Sequence, residues 1–282
     1  MSGKLIVFEG TDGSGKATQA KLLCETLAQR GIAYREIDFP RYGNPFAEPA
    51  NLYLHGALGN RPGDVNAYAA SVLYAVDRFA SYKEDWGGFY EEGGIVVANR
   101  YTTSNAVHQA SKLPEGERQA FLDWLFDLEY GRMGLPAPDL VLYLDLPTEV
   151  SEKMLRHREQ ATATAADIHE QDGAYLRRCR EGAREIARDL GWSVIDCAAG
   201  AAPRTVVDSR REVLSRVEPL RNSGLSPTGA KKMGRTRPIF STAVSSSRCC
   251  SRRCRTRSRS HSRSYCRRGR SRCHSSSRSA RR

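Results

Sequence analysis

Residues 6–19 read IVFEGTDGSGKATQ, and no other stretch constrains the fold as strongly. Lys4-Leu5-Ile6-Val7-Phe8 is a short, apolar, β-rich run. From Ala17 to Arg30 the residues Ala20, Leu23, Cys24 and Leu27 share one helical face, so the glycines join a strand to a helix. A G-x-x-x-x-G-K turn in that setting is a phosphate-binding loop. Gly10, Gly13 and Gly15 let backbone N–H groups turn inward around an anion, the helix N-terminus adds its positive end, and Lys16 supplies a point charge for the outer phosphates. The pattern asks next for Ser or Thr, whose hydroxyl holds Mg²⁺; this chain has Ala17 there, then Thr18. The candidate donor-side residues are Gly10, Thr11, Asp12, Gly13, Ser14, Gly15, Lys16, Ala17 and Thr18.

Strand-like runs then alternate with helical patterns. Ala33 to Phe39, Gly94 to Ala98, Leu140 to Leu146 and Ser193 to Cys197 read as strands. Val65 to Asp85, Glu115 to Tyr130, Val150 to Arg158, Ala174 to Leu190 and Arg204 to Val217 read as helices. That alternation predicts an α/β fold with a parallel sheet covered by helices on both faces.

Charge divides the 282 residues in two. The net charge of +12 suggests a nucleic-acid binder, but residues 221–282 hold 19 of the 44 Lys and Arg and none of the 32 Asp and Glu. The first 220 residues therefore carry 25 basic against 32 acidic side chains, a net charge of −7. Residues 1–220 suit one domain with a sizeable core, whereas 221–282 is an Arg/Ser/Cys-rich tract with too little apolar surface to fold and is expected to be disordered. Nucleic-acid contact by that basic tail is chemically open but expected to have no function. Cys24, Cys179 and Cys197 are scattered, so no disulfide framework is expected. Cys250, Cys254, Cys266 and His274 fit no recognised zinc spacing. No apolar run approaches the ~20 residues that span a bilayer, and the expectation is a reduced, cytoplasmic protein.

Phosphoryl transfer needs an acceptor beyond the carboxyl ends of the strands. Two strand ends are suited to it: Phe39-Pro40-Arg41-Tyr42-Gly43 and Asn99-Arg100-Tyr101-Thr102-Thr103-Ser104-Asn105. Each offers an arginine for anionic oxygens and aromatic neighbours for a base. Leu73-Tyr74-Ala75-Val76-Asp77-Arg78 adds Tyr74 and Arg78, four apart on one helical face.

Taken together, EGTDGSGKATQ, FPRYG, LYAVDR, NRYTTSNAVHQ and Asp167-Ile168-His169-Glu170 make residues 3–217 resemble a thymidylate kinase. The resemblance implies the P-loop kinase fold with a short lid, and ATP- and Mg²⁺-dependent phosphorylation of dTMP to dTDP. It implies that Phe39, Tyr74, Arg78, Ser104, Asn105 and Gln109 contact the pyrimidine and that Arg41 and Arg100 grip the acceptor phosphate. Asp12 would organise the transfer centre with Lys16, Arg156 or Arg158 would close from the lid, and Asp12 and Glu170 would anchor Mg²⁺. A homodimer packed through helices is implied as well. The chain departs from the family at Ala17, at Asn99 where Asp is usual, and at His108 where an aromatic residue is common. The alternatives are a related P-loop kinase acting on another deoxynucleotide or deoxynucleoside, and a non-catalytic nucleotide-binding homologue.

Overall fold

The computed structural model describes residues 3–151, 154, 167–169, 172–200 and 202–222. Five strands form one parallel sheet: β1 (Lys4–Gly10), β2 (Tyr34–Asp38), β3 (Ile95–Asn99), β4 (Leu140–Asp145) and β5 (Ser193–Asp196), in the order β2-β3-β1-β4-β5. Ile6 pairs with Val97 on one side and with Leu140 on the other. A strand buried on both faces has no polar side to show, and β1 is accordingly apolar from Leu5 to Phe8.

The two-residue period of the strands sorts these side chains into two cores. Ile6, Phe8, Val97, Leu142 and Leu144 meet α1 (Lys16–Gln29) through Ala20, Leu23 and Leu27. Val213 and Val217 of the last helix described, Val206–Asn222, join the same cluster. On the opposite face Leu5, Val7, Ile37, Val96 and Ala98 pack around Trp86 and Tyr101.

Between these strands run α2 (Glu48–Leu54), α3 (Ala67–Ser81), α4 (Gly87–Glu91), α5 (Thr102–His108), α6 (Glu115–Phe126) and α7 (Gly173–Asp189), with Val206–Asn222 as α8. The expected α/β architecture is present, with two refinements. The helix expected over 65–85 starts at Ala67, where the Asn66 side chain accepts from the Ala69 N–H, and its last turn widens into a π-helix at Tyr82–Trp86. The helix expected over 115–130 likewise becomes π-helical at Asp127–Arg132. α5 was not anticipated, because Thr, Ser and Asn are poor helix formers; tertiary bonds to Thr103 and Ser104 hold it. The expected helix over 150–158 falls largely outside the described residues, as does 223–282.

Topology places the site. β1 lies between β3 and β4, and the connections leaving β1 and β3 lead to α1 and α5 on opposite faces of the sheet. A crevice therefore opens at the carboxyl ends of β1 and β3, where open α/β sheets take ligands. Leu142 is fully buried at the sheet centre, and Leu142→Ala should cost about 2–5 kcal/mol in urea unfolding with the fold retained.

Candidate active site

The loop after β1 is shaped by its glycines. Gly13 and Gly15 have φ of 78° and 88°, and a Cβ on Gly10 would sit 2.6 Å from the Leu144 carbonyl oxygen. Lys16 opens α1 with its ammonium donating to the carbonyls of Gly10 and Thr11, both at 2.9 Å, and lying 3.4 Å from Asp12 Oδ1. Burial first and then the Arg100 charge lower its pKa to about 8. The hydroxyls of Thr11 and Ser14 are buried and have no partner in the structure.

Arg100 follows β3 and is the one non-glycine residue with positive φ, at 67°, among the described residues. Its Nη2 donates to Asp12, its Nη1 lies 3.7 Å from Glu9 Oε1, and the same Nη1 reaches Ser104 Oγ and His108 Nε2, each at 3.4 Å. Burial alone would raise the Asp12 pKa, yet Arg100 and Lys16 hold its carboxyl far below the usual range. Glu9 is fully buried and accepts from the Gly10 N–H at 3.0 Å, the Thr103 hydroxyl at 2.9 Å and the Ser104 hydroxyl at 2.7 Å. One carboxylate thus ties the start of the phosphate loop to the first turn of α5.

Farther along, a cavity of about 780 Å³ runs from this loop to a mixed aromatic and polar end. Asp12, Gly13, Gly15, Lys16, Ala17 and Thr18 line it at the loop. Arg100 and Ser104 line the middle, and Phe39, Tyr74, Arg78, Asn105 and Gln109 the far end. Phe39 precedes a cis peptide bond to Pro40 and packs on Tyr101, ring centroids 6.1 Å apart. Asn105 donates to the Ser71 carbonyl at 3.2 Å, while Gln109 Oε1 is buried without a partner.

Not every expected residue faces the cavity. Gly10 and Thr11 contribute carbonyls to Lys16 instead, and Ser14 lines a smaller hollow of about 100 Å³ beside Gln19 and Arg204. Arg41, expected to grip a phosphate, is engaged by carboxylates in this structure. Its Nε donates to Asp77 Oδ1 at 2.7 Å and its Nη1 to Glu84 at 3.1 Å, because buried Asp77 needs a cation and also captures the Arg41 backbone N–H. Arg156, Arg158 and Glu170 lie outside the described residues.

Sequence reasoning missed Glu9, Asp77 and Glu129, buried carboxylates that each hold an arginine or its loop. It also missed the wall made by His108 and His169, whose rings stack 5.5 Å apart at 11°. His169 Nε2 pairs with the Tyr53 hydroxyl at 2.8 Å, and Lys112 donates to that hydroxyl at 2.9 Å. Burial and then Lys112 lower the His169 pKa to about 3, so the ring is neutral near pH 7.

A thymidylate kinase family model matches residues 8–203. The thymidylate kinase of Mycobacterium tuberculosis is 33% identical over 190 residues, covering 67% of this chain and 87% of that protein. The probable thymidylate kinase of Pyrobaculum aerophilum is 31% identical over 213 residues, 75% and 96% of the two chains. The chain belongs to the thymidylate kinase family. The solved thymidylate kinase from Candida albicans shares the fold, with a TM-score of 0.56 at 20% identity over 78% of this chain and 93% of that one.

Thymidylate kinases are ATP-dependent and convert dTMP to dTDP. Within this family member, Ala17 stands where the loop pattern has Ser or Thr, and Asn99 donates through Nδ2 to Asp38 Oδ1 at 3.0 Å. No helix among the described residues is long and apolar enough to cross a membrane.

The lowered pKa of Lys16 has a measurable sign. Between pH 8 and 10.5 the unfolded chain holds the proton that the folded loop has released, so this group's contribution to stability rises with pH in that window. A polyphosphate stabilises the ammonium and returns the proton. ATP binding at pH 9 should therefore take up about one proton, and at pH 7 none, by calorimetry in buffers of different ionisation enthalpy. The uptake should vanish in Lys16→Met.

Proposed function

We propose that this chain transfers the γ-phosphoryl group of ATP to dTMP through the roles that follow. The observation that carries the reading is one continuous cavity joining the Lys16 loop, the Arg100–Asp12 pair and an aromatic, amide-lined end. The loop between Gly10 and Thr18 cradles the donor phosphates through the residues that face the cavity, and Lys16 exchanges its loop carbonyls for them. Arg100, steadied by Asp12, takes the acceptor phosphate. Phe39 and Tyr74 supply surfaces for the pyrimidine, and Arg78, Asn105, Ser104 and Gln109 supply its polar contacts. The acceptor is already an anionic oxygen, so positioning and charge neutralisation carry the step and no strong base is needed.

Among the described residues no three His, Cys, Asp or Glu side chains gather as a metal cage. Mg²⁺ binds through one or two carboxylates together with substrate phosphates and waters. Asp12 at the loop and Glu170 from the lid would hold it, and the ion would neutralise charge on the phosphates. With no arginine in the phosphate loop, we assign the donor-closing charge to Arg156 or Arg158. Replacing the responsible one with Ala should depress kcat more than it changes the KM for dTMP.

An ADP-release assay offering dTMP, dUMP, dCMP, dGMP and thymidine tests the reading, with dTMP expected to be strongly preferred. Lys16→Ala should lower kcat by about 10²-fold or more. A protein that binds ATP and dTMP tightly but transfers nothing would be the nucleotide sensor that Ala17 and Asn99 allow. A preference for thymidine or dCMP would move it to another kinase class.

We further propose a homodimer packed through α3. Tyr68, Val72 and Val76, spaced by four, leave 39%, 42% and 38% of their surfaces exposed, and Trp124 of α6 meets Tyr68 edge-to-face with ring centroids 4.7 Å apart. That stripe supports a self-associating face. Light scattering should give a dimer at micromolar concentration, and Val72→Glu should shift it to monomer. Residues 223–282 are assigned no part in catalysis.

A further inference from the structure

A guanidinium can read a base only if it is held still. Arg78 of α3 is 1% exposed and lines the far end of the cavity. Its Nε and Nη2 donate to the two carboxylate oxygens of Glu129 at 2.6 and 2.5 Å, and the Thr102 hydroxyl donates to Glu129 Oε2 at 2.7 Å. Glu129 is fully buried within the π-helical turn Asp127–Arg132. The wider turn shifts the phase of the residues after α6 and brings a carboxylate to the inner side, and such turns concentrate at functional sites. Tyr101 and Tyr130, stacked with centroids 6.5 Å apart, both lie close enough to Arg78 to influence its proton affinity.

Two chemical consequences follow from the pairing. Glu129 cancels the charge of Arg78, so the far end of the cavity offers hydrogen-bond donors without a net field that would draw a phosphate there. A guanidinium has five N–H groups and no acceptor. With Nε and Nη2 committed to Glu129, Nη1 takes part in neither bond, and the edge left for a ligand donates only. Such an edge matches a ring carbonyl and opposes a ring amino group, where donor would face donor and both would lose their water.

We propose that Glu129 is a positioning residue that sets base discrimination: by locking Arg78 in this bidentate pair, it makes the site prefer a pyrimidine with a keto oxygen over one with an amino group, dTMP over dCMP. Glu129 meets no substrate atom itself and acts through Arg78. The proposal rests on the reading that the base lies at the Arg78 end of the cavity.

Steady-state kinetics of the full chain with dTMP and dCMP test it in three variants. Glu129→Gln keeps the shape but can accept only one of the two arginine bonds. Glu129→Asp keeps the buried charge balanced, and so the fold, but reaches less far. Both should raise the KM for dTMP about tenfold, the scale of one charge-assisted hydrogen bond. The KM for ATP and kcat should change less than about threefold, and the dTMP-to-dCMP ratio of kcat/KM should fall about tenfold. A folded Glu129 variant with the wild-type ratio would overturn the proposal. So would a proportional loss of kcat and ATP affinity, which marks a merely structural role. Arg78→Met separates the two layers. If it keeps the preference for dTMP, the base does not lie at Arg78; if it loses the preference while both Glu129 variants keep theirs, the positioning role alone falls.

Discussion

The site depends first on how Arg100 is held. A non-glycine residue at φ 67° costs about 1–3 kcal/mol, and it persists because three fixed groups determine it. Its backbone N–H donates to the Phe8 carbonyl at 3.0 Å, its guanidinium meets Asp12, and Glu9 lies behind both. The left-handed turn ends β3 abruptly and aims the side chain back across the sheet at the β1 loop, where an extended residue would continue along the strand. Because Asp12 and Lys16 share that corner, the loop after β1 and Arg100 form one electrostatic unit. Glu9 makes the unit mechanical as well, bonding the loop at Gly10 and α5 at Thr103 and Ser104.

The same device recurs twice along α3. Buried charges are tolerated when paired and hydrogen-bonded and are costly when a partner is removed. Asp77 and Arg78 are adjacent, so a helix directs them to different sides. Asp77 seizes the backbone and side chain of Arg41 and so fixes the loop that follows Phe39, while Arg78 reaches Glu129 beyond α6. One helical turn therefore sets both the aromatic wall and the polar floor of the far end. Arg41, though part of FPRYG, serves this scaffold in the ligand-free geometry, and a phosphate would have to outbid Asp77 and Glu84 for it.

This explains what the sequence made legible and what it hid. The phosphate loop could be read because its constraints are local: glycines at fixed offsets, a strand before, an amphipathic helix after. The strands could be read because double-sided burial leaves continuous apolar runs. Tyr74 and Arg78 could be grouped because i and i+4 share a face. Glu9 and Glu129 could not be recognised, since a carboxylate's burial and partner are set by residues more than fifty positions away, Thr103 for the one and Arg78 for the other. α5 escaped for a related reason, its residues being weak helix formers held by Glu9. The π-helical ends of α3 and α6 leave the apolar spacing almost unchanged, so periodicity read each as a longer α-helix.

The departures at Ala17 and Asn99 make more sense together than singly. Asp38 and Asn99 are register partners at the ends of β2 and β3, joined by a 3.0 Å hydrogen bond, and both line the cavity. Were residue 99 aspartate, as is usual in the family, two carboxylates would face each other there. Like charges at that separation cannot both stay ionised at little cost, and burial already raises the Asp38 pKa. Asparagine at 99 removes the repulsion and turns its amide into a donor for Asp38. The corner thus keeps one carboxylate, carried on β2 instead of β3. Ala17 removes a neutral hydroxyl and alters no charge at all. The cations at Lys16 and Arg100 thus keep their carboxylate partners Asp12 and Glu9 despite both substitutions.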